Sequence, residues 1–259
     1  MQLHSFTVGP FAENTYLLIN GDEALLIDPG FNEVAEVNAF QQKLEEAGAS
    51  LKAVVLTHAH VDHVLGLQKV LDQFEVAVYL NDTDRYLWNN FASQAQMFGF
   101  QATDFDFEPE PLPAQEDWKI GSFTFTVLYT PGHAPDHVSL YSAEDELVIA
   151  GDALFREGIG RTDLYKGSMD VLRRSIIEKL YVLPDNTNVY PGHGPATTID
   201  MKKRPILLCN YKTKNLYFSF FLIFLSRLIC SSYQSSFSLL LTFSLLYAFI
   251  AAFIFPCCS

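Results

Sequence analysis

Thr57-His58-Ala59-His60-Val61-Asp62-His63 is the stretch on which the reading of this chain turns. Three of the seven histidines and one carboxylate fall in this heptapeptide, directly after the apolar run Leu51–Leu56. A short apolar run bounded by polar residues reads as a buried strand. The cluster therefore sits on the loop leaving a strand's carboxyl end, where α/β folds build their sites. His58, His60 and His63 cannot all point at one ion from so short a loop. A pair of metal ions is the economical explanation, with His58 and His60 facing one and Asp62 and His63 facing the other.

Working outward, three further candidates stand in the same kind of place. His133 closes Thr130-Pro131-Gly132-His133 after the strand-like run Phe123–Tyr129. Asp152 follows Gly151 after the apolar run Leu147–Ala150, and His193 lies in Tyr190-Pro191-Gly192-His193-Gly194 after Asn188–Tyr190. Each has glycine or proline beside it, which lets the backbone turn sharply. Any one alone would pass for a loop residue; their shared position at strand exits predicts that they converge on one edge of the sheets.

The order His-x-His-x-Asp-His, then Thr-Pro-Gly-His, Gly-Asp and Pro-Gly-His resembles the signature of the metallo-β-lactamase fold, over roughly residues 1–199. That resemblance implies an αββα sandwich, with His58, His60 and His133 on one metal, Asp62, His63 and His193 on the second, and Asp152 bridging them. Asp28, in Ile27-Asp28-Pro29-Gly30, matches an aspartate that supports the metal loop without being a ligand. Within the superfamily the chain is similar to the short hydroxyacylglutathione hydrolases, the glyoxalase II group. Asn14-Thr15-Tyr16, Gly151-Asp152-Ala153-Leu154-Phe155 and Ile159-Gly160-Arg161-Thr162-Asp163-Leu164 carry that likeness.

This likeness implies a binuclear metal hydrolase cleaving S-2-hydroxyacylglutathione to the 2-hydroxy acid and glutathione by a metal-bridging hydroxide. Asp62 would orient the nucleophile. The ions would be two divalent cations, zinc first, with iron or manganese also suited to a nitrogen and oxygen donor set. Longer glyoxalase II enzymes hold glutathione with a lysine and a tyrosine where this chain has Arg161 and Asp163. Arg161 either clamps a substrate carboxylate bidentately or braces the loop through a salt bridge to Asp163. The competing resemblance is to persulfide dioxygenases, which share the Gly-Arg-Thr-Asp segment; they imply one iron on His58, His133 and Asp152. A remote third reading is a non-catalytic, membrane-tethered metal-binding scaffold.

The 259 residues carry a formal net charge of −13, which argues against a nucleic-acid partner. All 30 acidic residues lie at or before Asp200, and all four cysteines (Cys209, Cys230, Cys257, Cys258) lie beyond it. A cysteine-free body needs no oxidising compartment, and no basic stretch followed by an apolar run opens the chain, so the expected location is cytoplasmic.

Period-two and period-3.6 patterns predict strands at Leu3–Val8, Asn14–Ile19 and Glu23–Asp28, then a helix at Val34–Ala47 stopped by Gly48. Helices are expected at Leu65–Phe74, Thr83–Phe98 and Met169–Leu180. Further strands are expected at Val76–Leu80, Trp118–Tyr129 and His137–Tyr141, and Asp104–Pro113 reads as a surface loop. Two runs of strands with helices between them suit two stacked sheets with helices outside. Met97 and Phe98 read as packing residues ahead of a role at the substrate mouth. Of the two remaining histidines, His4 lies on the first strand, and His137 reads as structural ahead of a partner to a metal ligand.

Residues 200–259 form a separate apolar tail. Phe237–Phe255 is 19 residues without a charge, long enough to cross a bilayer core. Taken literally it is a C-terminal membrane anchor, which would make the location membrane-anchored. A frameshift is the reading preferred here. Members of the resembled group end soon after the last histidine in a stretch such as Thr-Ile-Gly-Tyr-Glu-Lys, and codons can be chosen for such an ending so that loss of one G yields Ile199 through Cys209.

Overall fold

The computed structural model describes residues 1–114 and 116–202, so the tail, read as a frameshift product or an anchor, lies outside them from residue 203 onward. Two six-stranded mixed sheets face each other, with helices on both outer faces. This is the expected αββα sandwich.

The first sheet runs in chain order: β1 (Gln2–Val8), β2 (Glu13–Asn20), β3 (Glu23–Ile27), β4 (Ser50–Val55), β5 (Ala77–Leu80) and β6 (Glu110–Pro111). Its first three strands are antiparallel and the rest parallel. The second sheet contains β7 (Asp117–Ile120), β8 (Phe123–Tyr129), β9 (Val138–Ser142), β10 (Leu147–Gly151), β11 (Asn188–Pro191) and β12 (Thr197–Thr198). Only β10 and β11 pair in parallel there.

The side-chain alternation of a strand divides the apolar residues among three cores. Leu18, Leu25, Ile27 and Val55 point between the sheets, against Phe125, Val127, Leu140 and Ile149. Their neighbours Leu17, Leu26, Val54 and Leu56 point the other way, onto Phe31, Phe40, Leu44 and Val70 of the outer helical layer. Val148, Ala150 and Val189 likewise meet Leu172, Ile176 and Leu180 outside the second sheet. A strand segment buried on both faces is apolar at every position, which is why Ala24–Ile27 of β3, Ala53–Val55 of β4 and all of β10 read as continuous apolar runs.

Helix α1 (Val34–Glu46) buries Val37, Phe40 and Leu44 at helical spacing, while Val34 at its start stays exposed. Glu36 draws its first turn together by accepting the backbone N–H groups of Gly9, Asn32 and Glu33. Gly48, at φ +63°, ends it.

Several expected elements are more broken than their patterns suggested. The metal loop itself turns into a short helix that was not expected, α2 (Val61–Val64), and of the helix expected at Leu65–Phe74 only α3 (Leu67–Leu71) forms. The one expected at Thr83–Phe98 is two pieces, α4 (Tyr86–Asn89) and α5 (Phe91–Met97). Trp118–Tyr129 is a hairpin that turns at Gly121. Met169–Leu180 is α6 (Met169–Ser175) continued by a π-helical turn, Ile176–Leu180. Met97 is 80% exposed, so the packing role expected of it belongs instead to Phe91 and Ala95, whereas Phe98, 48% exposed, packs edge-on against Phe11. Among the described residues no helix is long and apolar enough to cross a membrane.

Gly132 joins the second sheet to α6 through a close approach that no side chain tolerates. Its φ is +125°, and a Cβ there would lie 2.2 Å from the backbone nitrogen of Leu172. Gly48 is also left-handed, but a Cβ there meets nothing within 4 Å. Gly132→Ala is expected to cost about 2–5 kcal/mol, from backbone strain plus overpacking. Gly48→Ala should cost about 1–2 kcal/mol, from the left-handed conformation alone. Urea unfolding measures both, and equal losses would contradict the steric account.

Candidate metal centre

Strand ends deliver every predicted ligand to one edge of the sandwich. His58, His60, Asp62 and His63 follow β4, His133 follows β8, Asp152 follows β10 and His193 follows β11. Asp28, at the exit of β3, ties the first loop down. Its carboxylate accepts the N–H and the hydroxyl of Thr57, both at 2.7 Å, and faces His63 Nδ1 at 3.0 Å. The residue holds this position at φ +49°.

The tautomers follow from hydrogen-bond accounting. Thr57 donates its hydroxyl proton to Asp28, so the His58 Nδ1 at 3.0 Å must donate to Thr57. His63 Nδ1 donates to Asp28, His133 Nδ1 to the carbonyl of Arg161 at 2.8 Å, and His193 Nδ1 to the carbonyl of Phe11 at 3.1 Å. In their neutral, ligand-competent form all four rings therefore turn an unprotonated Nε2 inward.

The lone pairs converge. His133 Nε2 lies 3.2 Å from His58 Nε2 and 2.8 Å from His60 Nδ1. His63 Nε2 lies 3.4 Å from Asp152 Oδ1, and His193 Nε2 lies 3.2 Å from Asp62 Oδ2. Ligand atoms of four groups fall within 4.8 Å of one another: His58, His60 and His133; His58, His63 and Asp152; Asp62, His63 and His193; and Glu13, Asp28 and His63, the last on the Nδ1 side of the His63 ring. His63 Nε2 and Asp152 Oδ1 are buried without a hydrogen-bond partner among the described residues. Inward-facing lone pairs and an orphaned buried carboxylate oxygen are a poor arrangement for a protein alone and a good one for divalent cations. The residues fit the metals that the sequence implied.

Electrostatics divides the site in two. Burial lowers His58, His60 (to about 3) and His133, so these three imidazoles stay neutral, as ligands must be. At His63 burial pulls the same way, but Asp152, Asp62 and Asp28 outweigh it and raise the pKa well above the ordinary value. Burial likewise opposes ionisation of Asp152, yet His63, His133 and His193 bring its pKa down. The carboxylate half of the site therefore favours positive charge, which a divalent cation supplies.

Some participants were not legible in the sequence. The carbonyls of Phe11 and Arg161 set two tautomers, and a backbone carbonyl carries no sequence signal. Asp136 is fully buried and accepts the N–H of Ala59, between His58 and His60, at 2.9 Å. Burial pushes its pKa up to about 7. Glu13 is buried beside His63, its Oε1 3.8 Å from Nδ1, and burial raises its pKa well. Neither acid carries a sequence signal, because acidic residues are ordinarily solvated. The Arg161 guanidinium meets Asp163 in two bonds of 2.7 Å, the bracing pair weighed above, and both side chains are exposed.

Residues 8–193 match the family model of the metallo-beta-lactamase superfamily. The probable metallo-hydrolase YqgX of Bacillus subtilis is 37% identical over 204 residues, covering 77% of this chain and 93% of that protein. The hydroxyacylglutathione hydrolase GloC of Haemophilus influenzae is 35% identical over 217 residues, covering 82% of this chain and all of that protein. Among solved structures, BLEG-1 B3 metallo-beta-lactamase has a TM-score of 0.69 at 35% identity, covering 78% of this chain and 96% of that one. TTHA1623 in a di-iron-bound form matches with a TM-score of 0.69 at 36% identity, covering 78% and 97%. ETHE1 from Myxococcus xanthus follows at 0.64 and 27%, covering 79% and 82%. Given the extent of the family match and the cluster of histidines and aspartates at the strand ends, the chain belongs to the metallo-beta-lactamase superfamily, whose members are generally hydrolytic metalloenzymes that bind divalent metals.

Proposed function

We propose that this chain is a binuclear hydrolase of glutathione thioesters, converting S-2-hydroxyacylglutathione to a 2-hydroxy acid and glutathione. The observation that carries the reading is the second ligand group, Asp62, His63 and His193, standing beside the three-imidazole group. A single metal on His58, His133 and Asp152 would leave it without a ligand role. The full-length likeness to GloC supports the substrate class.

We assign His58, His60 and His133 to one cation and Asp62, His63 and His193 to the other, with Asp152 between them. Zinc is our assignment, with iron the competitor that the di-iron form of TTHA1623 brings forward. When bound, such a pair of cations supplies Lewis acidity and makes hydroxide available near neutral pH. The chain's own side chains do the rest. Asp28 and the Phe11 and Arg161 carbonyls hold the imidazoles unprotonated at their inward atoms. Asp62, which reaches the surface beside His193, orients the attacking water. Hydrolysis adds the water's OH to the carbonyl carbon, breaks the carbon–sulfur bond, and returns a proton to the leaving thiolate.

Arg161 is our candidate for a substrate carboxylate. An exposed ion pair holds little, so a substrate carboxylate can displace Asp163 from the guanidinium fork. We also take residues 1–199 as the catalytic domain and residues 200–259 as out-of-frame translation; an intact reading frame on resequencing the 3′ end of the gene would overturn the latter.

The likeness to ETHE1 supports a second reading, a one-iron persulfide dioxygenase using His58, His133 and Asp152. Metal analysis with two assays separates them. We expect two ions per chain and turnover of S-D-lactoylglutathione that is lost on chelation. One iron per chain, with oxygen uptake on glutathione persulfide, would establish the dioxygenase instead. Asp62→Ala is expected to lower kcat by roughly a hundred- to ten-thousand-fold, on the scale of a lost acid–base or orienting group. Steady-state kinetics at fixed metal load reads this, and an unchanged kcat would remove Asp62 from the mechanism.

A further inference from the structure

His137 lies outside both ligand groups, fully buried, and its ring is held by a closed circuit of hydrogen bonds. The backbone N–H of Asp152 donates to His137 Nε2 at 2.9 Å. A backbone N–H can only donate, so Nε2 is unprotonated and the ring proton sits on Nδ1. Nδ1 meets Thr130 Oγ1 at 2.9 Å and must donate to it. Thr130 Oγ1 lies 2.9 Å from Ser139 Oγ, and Ser139 lies 3.3 Å from the carbonyl of Ala150. A carbonyl can only accept, so Ser139 donates to Ala150, and Thr130, which accepts from His137, has Ser139 Oγ at 2.9 Å and the Leu128 carbonyl at 3.5 Å as acceptors for its own proton. The circuit starts at Asp152, just past the end of β10, and returns two residues earlier at Ala150 on that strand, with the His137 ring proton assigned to Nδ1.

Its members tie three metal-bearing segments together. Thr130 opens the turn that carries His133, and its N–H donates to the His137 carbonyl at 3.0 Å. The next residue, Val138, donates to the carbonyl of Thr57, at the head of the histidine loop, at 2.9 Å. Gly151 fits the same picture. Its φ is +48°, and a Cβ there would stand 2.7 Å from His137 Nε2, so the glycine lets the ring reach the Asp152 N–H.

We propose that His137, locked in its Nδ1–H tautomer by Thr130 and Ser139, is a positioning residue that sets where Asp152 stands relative to His133 and thereby tunes metal affinity. The proposal rests on the assignment of Asp152 as a metal ligand and is independent of the substrate.

The test is zinc affinity of the full-length protein, measured by competition with a chromophoric chelator, in three variants. His137→Phe removes the acceptor and should weaken zinc binding roughly ten- to a hundredfold, the usual effect of losing a partner to a metal ligand. His137→Gln offers an amide oxygen to accept and an amide N–H to donate, and should recover most of that loss. Thr130→Val keeps shape and removes the hydroxyl that fixes the tautomer, and should fall between the two. If His137→Phe does not fold, Thr130→Val and His137→Gln carry the comparison. Nitrogen-15 NMR of the imidazoles gives a second readout, with His137 expected as the Nδ1–H form. Parent-like zinc affinity in His137→Phe and Thr130→Val, no rescue by glutamine, or a protonated Nε2 would each overturn the proposal. Zinc binding that responds as described in a protein without thioesterase activity would uphold it while defeating the substrate reading.

Discussion

Seven metal-seeking side chains, five buried and two half-buried, can stand side by side only if their imidazoles are told which way to face. An imidazole has two nitrogens, and the one aimed inward is a ligand only if the other carries the proton. Here that decision is made by oxygen atoms behind the rings: Thr57 for His58, Asp28 for His63, and the carbonyls of Arg161 and Phe11 for His133 and His193. Burial adds to this by keeping the three-imidazole group neutral, while the carboxylates beside His63 make the other group receptive to a cation. Without these oxygens the same ligands would be histidines free to adopt the wrong tautomer.

The sandwich serves that constraint. Strands buried on both faces end together, so residues distant in sequence meet without long loops: His63 and Asp152 come within 3.4 Å although β4 and β10 belong to different sheets. Glycine appears where one ligand loop must pass close to another. A Cβ on Gly192 would stand 2.2 Å from Asp152 Oδ1.

Most of the fold was legible because its signal is periodic. Leu17 and Leu18 point to opposite cores, and continuous apolar runs mark strands covered on both sides. The helices were less legible. A window such as Thr83–Phe98 keeps helical composition across a break at Asn90, and nothing in the pattern marks that break. Arg161 was left between two roles by its sequence, and its bidentate contact with Asp163 is a matter of side-chain placement.

By itself the sequence determined which chemistry is available: histidines and aspartates at strand exits, with glycines that permit sharp turns, name a metal centre and the superfamily. Only the tertiary structure decided how those groups are oriented. Asp136 beneath Ala59, Glu13 beside His63 and the carbonyls behind the imidazoles come from segments far away along the chain. The physical reason is that ligand identity is a property of residue type, whereas tautomer, protonation and direction are set by whichever neighbour the fold brings within hydrogen-bonding distance.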